Sequence, residues 1–277
     1  MSLSSMSIRF WGVRGSIPCP NANNLRYGGH TSCVEIRCGD SIVILDAGSG
    51  IRPLGQALSR EAQAADLDIF LSHCHIDHLI GLPFFSALLR PEGNVRLWAG
   101  NLQPACGAED ALRRLMSFPL FPIEIELLKA KIEFRDFRAG DTLDPGKRVS
   151  IRTAPLRHPG GATGYRIDYA GRSVAYLTDT ELGAGPIDEG TLALAKDADL
   201  IVIDATYTDD EISSHIGWGH STWQQCVRLA NAAGARRLCL SHHDPDHDDD
   251  FLDGVQSAAN AERPGTIVAR EGLCIEL

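Results

Sequence analysis

Short runs of apolar residues recur along the chain, and most of them fit β-strands. Each run is rich in valine, isoleucine and leucine and is bounded by glycine, proline or aspartate, which is the pattern of strands separated by turns. The residues Ala170 and Gly171, between two of these runs, predict a hairpin turn. The predicted strands are 7–10, 33–38, 42–45, 68–71, 95–98, 131–137, 149–153, 164–169, 173–177, 200–203, 237–240 and 266–269.

Helical patterns lie between some of these strands. These helical patterns lie near 51–65, 79–90, 103–117, 188–196, 221–234 and 250–261. Ser221 or Thr222 is the expected N-cap of the fifth helix, and Gly234 its expected stop. Strands interspersed with helices, without strict alternation, indicate layered sheets covered by helices.

The chain shows no linker or low-complexity stretch, so we expect a single domain over residues 1–277. The segment 65–73 weakly resembles 198–204, because both are apolar strands that end in residues able to do chemistry. This similarity suggests two related halves that face one site.

Charge narrows the possible partners. The formal net charge is −10 and the pI about 5.4, with 44% hydrophobic and 22% charged residues. An acidic surface of this kind repels polyanions, so a broad face for DNA or RNA is not expected. A small anionic substrate remains possible, because metal cations in a pocket reverse the local field.

Nothing in the sequence predicts a membrane protein or a secreted one. The longest charge-free apolar stretch, 79–89, has 11 residues and contains Gly81 and Pro83, which makes it too short to span a bilayer. The first residues lack the pattern of a secretory signal. The eight cysteines form no Cys-x-x-Cys pair, so reduced cysteines and a cytoplasmic location are expected.

The strongest chemical pattern is the run His73-Cys74-His75-Ile76-Asp77-His78, directly after an apolar strand. His73 and His75 are two residues apart and can point to the same side of an extended chain. After a bend, Asp77 and His78 can face a second ion close by. Imidazole nitrogens with a single carboxylate suit zinc, and also iron, manganese or cobalt, better than magnesium or calcium.

The segment 71–83, Leu-Ser-His-Cys-His-Ile-Asp-His-Leu-Ile-Gly-Leu-Pro, resembles the signature of the metallo-β-lactamase superfamily. Upstream, 44–50 resembles the first motif of that family, in which the aspartate, here Asp46, supports the metal loop. The resemblance extends from Ile8 to the C-terminus. It implies an α+β or α/β protein with a four-layer αββα sandwich made of two similar halves.

The same resemblance implies a set of metal ligands. His158, Asp179 and His242 occur in the order of the family, and Asp179 is expected to bridge two divalent ions, with zinc as first choice and manganese or iron as alternatives. His243, next to His242, remains an alternative for the last ligand. The implied ligands are His73, His75 and His158 for one ion and Asp77, His78 and His242 for the other.

A second motif bears on the type of hydrolase. The segment 217–222, Gly-Trp-Gly-His-Ser-Thr, resembles the phosphodiesterase branch of the superfamily, which includes tRNA 3′-processing endonucleases and small cyclic phosphodiesterases. The resemblance gives His220 the role of assisting proton transfer to the leaving oxygen. The other interpretation is a histidine at a helix start. Asp204, where the branch has glutamate, orients either the metal shell or His220, and we place it with His220 and Asp77 in the predicted catalytic set.

The N-terminal segments 11–18 and 27–33 resemble a bacterial subgroup of the family. Arg14 is expected to contact a phosphate or to form a structural salt bridge. His30 stands where the subgroup more often has asparagine, so no direct role is expected for it. His215 is expected to be a surface residue.

These observations favour a phosphodiesterase that acts on a small or cyclic phosphodiester. The tRNA-processing enzymes of the family insert a long arm between the third histidine and the bridging aspartate, whereas here only the 20 residues 159–178 separate His158 from Asp179. No long nucleic acid and no membrane are therefore expected as partners, and a homodimer is possible.

Other functions remain open. The main alternative is a carbon-ester, lactone or β-lactam hydrolase on the same metal pair. A metal-containing sensor without turnover is a further class. A redox iron protein of this fold is less well supported, because its members typically carry glutamate at the position of His75.

Overall fold

Two seven-stranded sheets form the centre of the protein. The structure is a computed structural model, which describes residues 5–61, 66–146 and 148–277; within those ranges the sheets have the orders β14-β1-β2-β3-β4-β5-β6 and β13-β12-β11-β10-β9-β8-β7. In chain order the strands are β1 (Met6–Gly12), β2 (Cys33–Cys38), β3 (Ser41–Leu45), β4 (Asp66–Leu71), β5 (Asn94–Ala99), β6 (Lys131–Asp136), β7 (Thr142–Gly146), β8 (Val149–Leu156), β9 (Ala162–Tyr169), β10 (Arg172–Leu177), β11 (Leu200–Asp204), β12 (Arg237–Ser241), β13 (Ile267–Val268) and β14 (Cys274–Glu276).

All the predicted strands are confirmed, and two further strands were not predicted. Strand β7 contains Pro145 and Gly146, which weaken a strand pattern, and β14 has only three residues. The hairpin turn between β9 and β10 is also confirmed, since Ala170 and Gly171 both have positive φ, 49° and 77°.

The two sheets repeat the same order of strand directions. From β14 to β3, and equally from β7 to β10, neighbouring strands run antiparallel. From β3 to β6, and from β10 to β13, they run parallel. Strands β4 and β11, which carry the similar segments of the sequence, therefore hold equivalent places. This repeat is what two related halves would produce; the assignment of one domain to residues 1–277 stays a prediction.

Three hydrophobic cores separate four layers. The central core lies between the sheets, where the ring of Phe70 stacks on Trp98 with centroids 5.2 Å apart and meets Tyr165 edge-on at 5.7 Å. A second core joins the first sheet to helices α1 (Ile51–Leu58) and α3 (Ala108–Leu115). The third joins the second sheet to α4 (Glu189–Ala195), α5 (Trp223–Ala232) and α6 (Asp249–Glu262). The expected αββα sandwich is confirmed.

One predicted helix is wrong. In place of a helix over 79–90 the chain forms the single turn α2 (Ile76–Leu79) and two 3-10 turns, Leu82–Phe84 and Ser86–Leu89. Pro83 lacks the amide hydrogen that a continuing helix needs, which explains the break. Helix α1 ends at Leu58, well before the predicted end, and residues 62–65 lie outside the described residues. In the described part of the chain, none of the helices has the length and apolar character needed to cross a membrane.

Helix α5 begins with a capping box at Thr222. The Thr222 hydroxyl accepts the amide hydrogen of Gln225 at 3.1 Å, and the Gln225 side chain accepts the amide hydrogen of Thr222 at 3.0 Å. Ser221, the other candidate, instead donates its hydroxyl to the carbonyl oxygen of Thr180. Gly234 follows the helix with φ 65°, as expected for a stop signal.

We expect Thr222→Ala to lower the free energy of unfolding by about 1 kcal/mol, because the amide of Gln225 loses its acceptor at the helix start. Urea denaturation followed by circular dichroism measures the change. Thr222→Ser keeps the hydroxyl and serves as the control, with an expected change within about 0.5 kcal/mol. An alanine variant as stable as the serine variant would contradict the capping role.

Candidate metal centre

Polar side chains follow the carboxyl ends of strands in both sheets. In the first sheet, Asp46 follows β3 and His73 lies just beyond β4. In the second, Asp179 lies just beyond β10, and His242 follows β12 directly. Because β3 and β4 are parallel, as are β10, β11 and β12, these side chains collect at one edge of each sheet. The sandwich brings the two edges together.

Three of these residues have a left-handed backbone. Asp46, Asp179 and His242 have φ values of 61°, 53° and 58°. Such a conformation is uncommon for residues with a Cβ and costs on the order of 1 kcal/mol or more at each position. The same local bend at three strand ends turns each side chain out of its strand and into the space between the sheets.

The loop after β4 is fixed to the loop after β3. The amide of Ala47 donates to the carbonyl oxygen of His78 at 2.9 Å, and the amide of Gly81 donates to the carbonyl oxygen of Ala47 at 3.0 Å. A Cβ at Gly81 would lie 2.1 Å from the carbonyl oxygen of Gly48, so a side chain at this position does not fit. The histidine run is therefore presented by a backbone held on both sides.

Six of the seven predicted ligands form two groups of three. Within each group the candidate ligand atoms lie within 4.8 Å of one another, close enough for one ion to contact all of them. One ring, that of His75, is exposed, whereas most of the others are buried. The groups are His73, His75 and His158, and Asp77, His78 and His242.

The carboxylate of Asp179 lies between the two groups. Its Oδ2 atom is 3.2 Å from Nε2 of His78 and 3.2 Å from Nε2 of His242. Its Oδ1 atom is 3.8 Å from Nε2 of His158 and 4.0 Å from Nε2 of His73. Each oxygen therefore faces a different group, which is the geometry that a carboxylate shared by two ions requires.

Unpaired ring nitrogens indicate that these residues fit metal ions. The Nε2 atoms of His73, His78 and His242 are buried, and within the described residues none has a hydrogen bond of good geometry, although Asp179 Oδ2 lies 3.2 Å from two of them. A buried polar atom left without a partner costs roughly 1–3 kcal/mol, so three of them in one cluster need an explanation. Divalent cations would satisfy all three, and imidazole nitrogen is a preferred ligand for zinc.

The opposite ring nitrogens are held by hydrogen bonds. Nδ1 of His78 donates to Oδ2 of Asp46 at 2.9 Å, and Nδ1 of His158 donates to the carbonyl oxygen of Gly219 at 3.0 Å. Nε2 of His158 lies 3.1 Å from Nδ1 of His75, a member of the same ligand group. Because Nδ1 of His78 carries the proton, the lone pair of its Nε2 is free for a cation. Partners of this kind orient a metal-binding histidine and raise its basicity.

Asp46 joins this arrangement to both sheets. Its carboxylate is fully buried and also accepts hydrogen bonds from the amide and hydroxyl of Ser72, at 2.7 and 2.9 Å, and from the hydroxyl of Tyr176 at 2.8 Å. Tyr176 lies on β10 of the opposite sheet. One carboxylate therefore holds His78, the start of the metal loop and the facing sheet in a fixed relation.

Electrostatics favour the metal-binding form of Asp179, Asp77 and His73, whereas Asp179 outweighs burial at His78 and His242 and raises the pKa of both. Burial raises the pKa of Asp179, but the neighbouring His242, His78 and His73 outweigh burial and hold that pKa well below its usual range. The pKa of Asp77 is lowered in the same way, since His78 and His242 outweigh burial. Burial lowers the pKa of His73. Ionised carboxylates and neutral imidazoles are the ligands that divalent metals require.

His220 lies beside the cluster and is held by Asp204. Nδ1 of His220 donates to Oδ2 of Asp204 at 2.8 Å and lies 3.8 Å from Oδ1 of Asp179. Burial lowers the pKa of His220, but Asp204 outweighs burial and raises it to about 9. The carboxylate of Asp204 also accepts a hydrogen bond from the Thr206 hydroxyl at 2.7 Å. That hydroxyl lies 3.1 Å from Nδ1 of His242. Asp204 thus contacts His220 directly and His242 through Thr206.

Comparison with known proteins agrees with this geometry. The family model described as a beta-lactamase superfamily domain matches residues 42–243, which is 202 of the 277 residues. That range contains all the clustered side chains. The chain belongs to the beta-lactamase superfamily.

The matches to individual relatives extend beyond residues 42–243 and cover almost the whole chain. Ribonuclease Z of Gemmatimonas aurantiaca is 26% identical over 98% of this chain and 95% of its own length. The crystal structure of the short form of human tRNase Z matches with a TM-score of 0.70 at 21% identity, over 97% of this chain and 98% of that one. A diphosphatase of the PhnP family matches with a TM-score of 0.71 at 19% identity, over 99% and 97%. The chain is a metal-dependent hydrolase.

Of the two adjacent histidines at the end of β12, only His242 lies in the cluster. Nε2 of His243 is 2.8 Å from the carbonyl oxygen of Ala269, and the ring meets Tyr27 edge-on at 6.1 Å. Complete burial lowers the pKa of His243 to about 3. His243 is therefore a core residue of this superfamily member, and His242 is the candidate ligand.

The loop of residues 13–16 supports the centre in a way that sequence reasoning missed. The amide of Ser16 donates to Oδ2 of Asp77 at 2.8 Å. A Cβ at Gly15 would lie 2.4 Å from the ring of His242, so glycine is required where this loop crosses the histidine. The two glycines of the segment 11–18 were visible in the sequence, but nothing there indicated which side chain they approach. The supporting roles of Thr206 and Tyr176 were also missed, because the sequence does not indicate which side chains they contact.

Arg14 makes no ion pair within the described residues, so the expected structural salt bridge is wrong. Its side chain is fully buried, and its guanidinium donates to the carbonyl oxygens of Gly28 at 2.8 Å, Asp244 at 3.0 Å and His247 at 2.6 Å. It ties the N-terminal loop to the segment after β12, because those acceptors lie in both. A buried guanidinium of this kind is out of reach of a substrate.

Two other histidines lie outside the cluster. Nδ1 of His30 is 3.0 Å from the hydroxyl of Ser49, in keeping with the expectation of no direct role. His215 is half-buried rather than a simple surface residue, because its ring stacks on Tyr207 with centroids 4.2 Å apart and meets Trp218 edge-on at 4.8 Å.

We expect Asp46→Ala to weaken metal binding about 10- to 100-fold, because His78 loses the partner that orients its ring. The free energy of unfolding of the apoprotein should fall by roughly 3 kcal/mol, since the buried donors of Ser72 and Tyr176 lose their acceptor. Chelator competition and urea denaturation measure the two effects. Asp40→Ala, at an exposed aspartate, is the control. Metal affinity unchanged in the Asp46 variant would exclude this supporting role.

Proposed function

We propose that the protein is a phosphodiesterase that acts on a small or cyclic phosphodiester through two divalent metal ions. The observation that carries the proposal is His220, which lies beside the shared carboxylate Asp179 and is held at Nδ1 by Asp204. The metal cluster supplies the attack on the phosphorus, and the alkoxide that leaves a phosphodiester needs a proton donor, the role for which His220 is placed.

The ligands proposed for one ion are His73, His75, His158 and Asp179, and for the other Asp77, His78, His242 and Asp179. Zinc is the first choice because the cluster is rich in imidazole, and manganese and iron are the alternatives. When bound, such a pair of cations lowers the pKa of a water molecule towards neutrality and stabilises negative charge on phosphoryl oxygens. The protein's part is to hold the ligands at fixed positions before substrate binds.

His220 is proposed as the general acid. Because Asp204 engages Nδ1, the other nitrogen, Nε2, is the one left to donate a proton to the leaving oxygen. The carboxylate of Asp204 stabilises the charged imidazolium before the transfer and fixes the ring orientation. In this role Asp204 is a positioning residue.

A small substrate is favoured over a long RNA, although the relatives named ribonuclease Z point to RNA. Between His158 and Asp179 the chain holds only the short turn after His158, the hairpin of β9 and β10 and the step into Asp179, which leaves no room for an inserted arm. The alignment with the Gemmatimonas protein spans 323 positions, so at least 46 of them, the excess over 277, have no counterpart here. The net charge of −10 also opposes a polyanion.

Two further expectations extend this proposal. Eight cysteines are free in the structure, which agrees with a reducing compartment, and we propose a cytoplasmic location. A homodimer stays a prediction without support from a particular surface. Size-exclusion chromatography with light scattering measures the oligomeric state.

The first experiment is hydrolysis of bis(p-nitrophenyl) phosphate by the apoprotein reconstituted separately with zinc and with manganese. We expect turnover that a chelator abolishes and that added metal restores, because the cluster supplies no nucleophile without a cation. No turnover with both ions bound would count against the phosphodiesterase proposal. In that case a lactone and a carboxylic ester are assayed with the same samples, since the metal cluster alone also suits those substrates.

We expect His220→Ala to keep both metals and to lose activity in a way that depends on the leaving group. Nitrophenolate leaves without a proton, so hydrolysis of bis(p-nitrophenyl) phosphate should change little. Hydrolysis of a 2′,3′-cyclic nucleotide, which expels an alkoxide, should fall at least about 100-fold. His30→Ala, at a histidine outside the cluster, is the control. Equal losses on both substrates would contradict a role as general acid.

Asp77→Ala is expected to bind one ion fewer than the wild type, because its carboxylate is 3.2 Å from Nε2 of His78 and 3.5 Å from Nε2 of His242. Metal content after gel filtration, measured by atomic emission, gives the stoichiometry. Two ions in the Asp77 variant and fewer in His220→Ala would reverse the proposed roles of the two residues.

A further inference from the structure

Glu181 connects three loops around the centre. Its amide donates to the carbonyl oxygen of Arg157 at 2.9 Å, next to His158. Its side-chain Oε2 accepts the amide hydrogens of Gly217 at 2.8 Å and Gly219 at 3.1 Å. Glu181 therefore ties the segment after β10 to the end of β8 and to the turn that precedes His220.

The turn held by Glu181 is in direct contact with a candidate metal ligand. The carbonyl oxygen of Gly219 accepts the hydrogen bond from Nδ1 of His158 at 3.0 Å. Gly219 has φ 89°, and a Cβ there would lie 2.2 Å from Nδ1 of His158. The backbone at Gly219 must therefore approach the imidazole closely and in one orientation.

The other side of His220 is anchored to the same segment. The hydroxyl of Ser221 donates to the carbonyl oxygen of Thr180 and accepts the amide hydrogen of Leu182 at 3.1 Å. His220 thus sits between two attachments to residues 180–182. Ser221 holds it on the C-terminal side, and Glu181 holds it on the N-terminal side.

We propose that Glu181 is a positioning residue for His158 and His220. By fixing the amides of Gly217 and Gly219, its carboxylate sets the direction of the Gly219 carbonyl, and that carbonyl directs Nε2 of His158 towards the cluster. The same contact fixes the chain that enters His220. The part that concerns His220 rests on the proposed function, whereas the part that concerns His158 rests only on the geometry of the cluster.

The hydrogen-bond pattern allows the effect of side-chain length at position 181 to be distinguished from the effect of its charge. One oxygen, Oε2, accepts both amide hydrogens. A glutamine at this position has a carbonyl oxygen at the same distance from the backbone and can accept both bonds without a charge. An aspartate keeps the charge but is shorter by one methylene and cannot reach. Positioning therefore predicts opposite outcomes for the two substitutions.

The test compares Glu181→Gln, Glu181→Asp and the control Glu189→Ala, at an exposed glutamate that starts α4. Zinc is titrated into each folded apoprotein in competition with a chromophoric chelator. We expect E181Q and the control to bind two ions like the wild type. E181D should bind one of its two ions about 10-fold more weakly, because His158 loses its orientation. Melting temperatures of the apoproteins show that each variant is folded.

A kinetic comparison adds a second readout. With saturating zinc, E181D should lower kcat on a 2′,3′-cyclic nucleotide by at least about 10-fold, with a smaller effect on bis(p-nitrophenyl) phosphate, because the proton donor is displaced. The E181Q variant should have the wild-type rate on both substrates.

Two results overturn the proposal. One is wild-type affinity for both ions in E181D, which would show that His158 does not depend on Glu181. The other is an E181Q variant as weak as E181D, which would mean that the charge rather than the contact matters. If the wild type hydrolyses no phosphodiester, the proposed function fails, but the zinc titration still decides the role of Glu181 towards His158.

Discussion

The buried Nε2 atoms of His73, His78 and His242 set the strictest constraint on this structure. In the part of the chain that the structure describes, none of them has a hydrogen bond of good geometry, and each is almost fully buried. Leaving such atoms unpaired costs folding free energy, so the surrounding contacts must hold the rings in place against it. Asp46 does this for His78, and the carboxylate of Asp179 lies 3.2 Å from two of the nitrogens. The centre is a set of acceptors arranged for cations.

The repeat of the two sheets explains how the acceptors meet. In each sheet the carboxyl ends of the parallel strands lie at one edge, and the left-handed residues Asp46 and Asp179 follow the equivalent strands β3 and β10. Their roles differ, however. Asp46 is turned inward to His78 and Tyr176, whereas Asp179 faces both ligand groups. Related strand ends have thus acquired a supporting role in one half and a central one in the other.

The sequence was sufficient for all the described strands except β7 and β14 and for locating the histidine run, but not for the contacts that position its side chains. Hydrophobic runs identify β4 and β11 because burial on both faces leaves a continuous apolar signal. The failure at 79–90 shows the limit, since apolar residues alone do not distinguish a helix from successive turns broken by Pro83. Supporting groups such as Ser16 and the Gly219 carbonyl act through the backbone, so their residue types carry no signal of the role. Arg14 was misread because a buried arginine and a phosphate-binding one look the same in sequence.

Asp204 determines how His220, the proposed proton donor, and His242, a proposed metal ligand, are related in space. One carboxylate oxygen of Asp204 accepts a hydrogen bond from Nδ1 of His220, and the other accepts one from the hydroxyl of Thr206. That hydroxyl also contacts Nδ1 and the carbonyl oxygen of His242. Asp204 ends β11, which lies between the parallel strands β10 and β12, and it pairs with Ser241 of β12. An aspartate, with fewer rotatable bonds than a glutamate, holds that position with less loss of side-chain entropy. The distance between His220 and His242 is therefore set by the sheet itself, which is the rigidity that the proposed proton transfer to a leaving group requires.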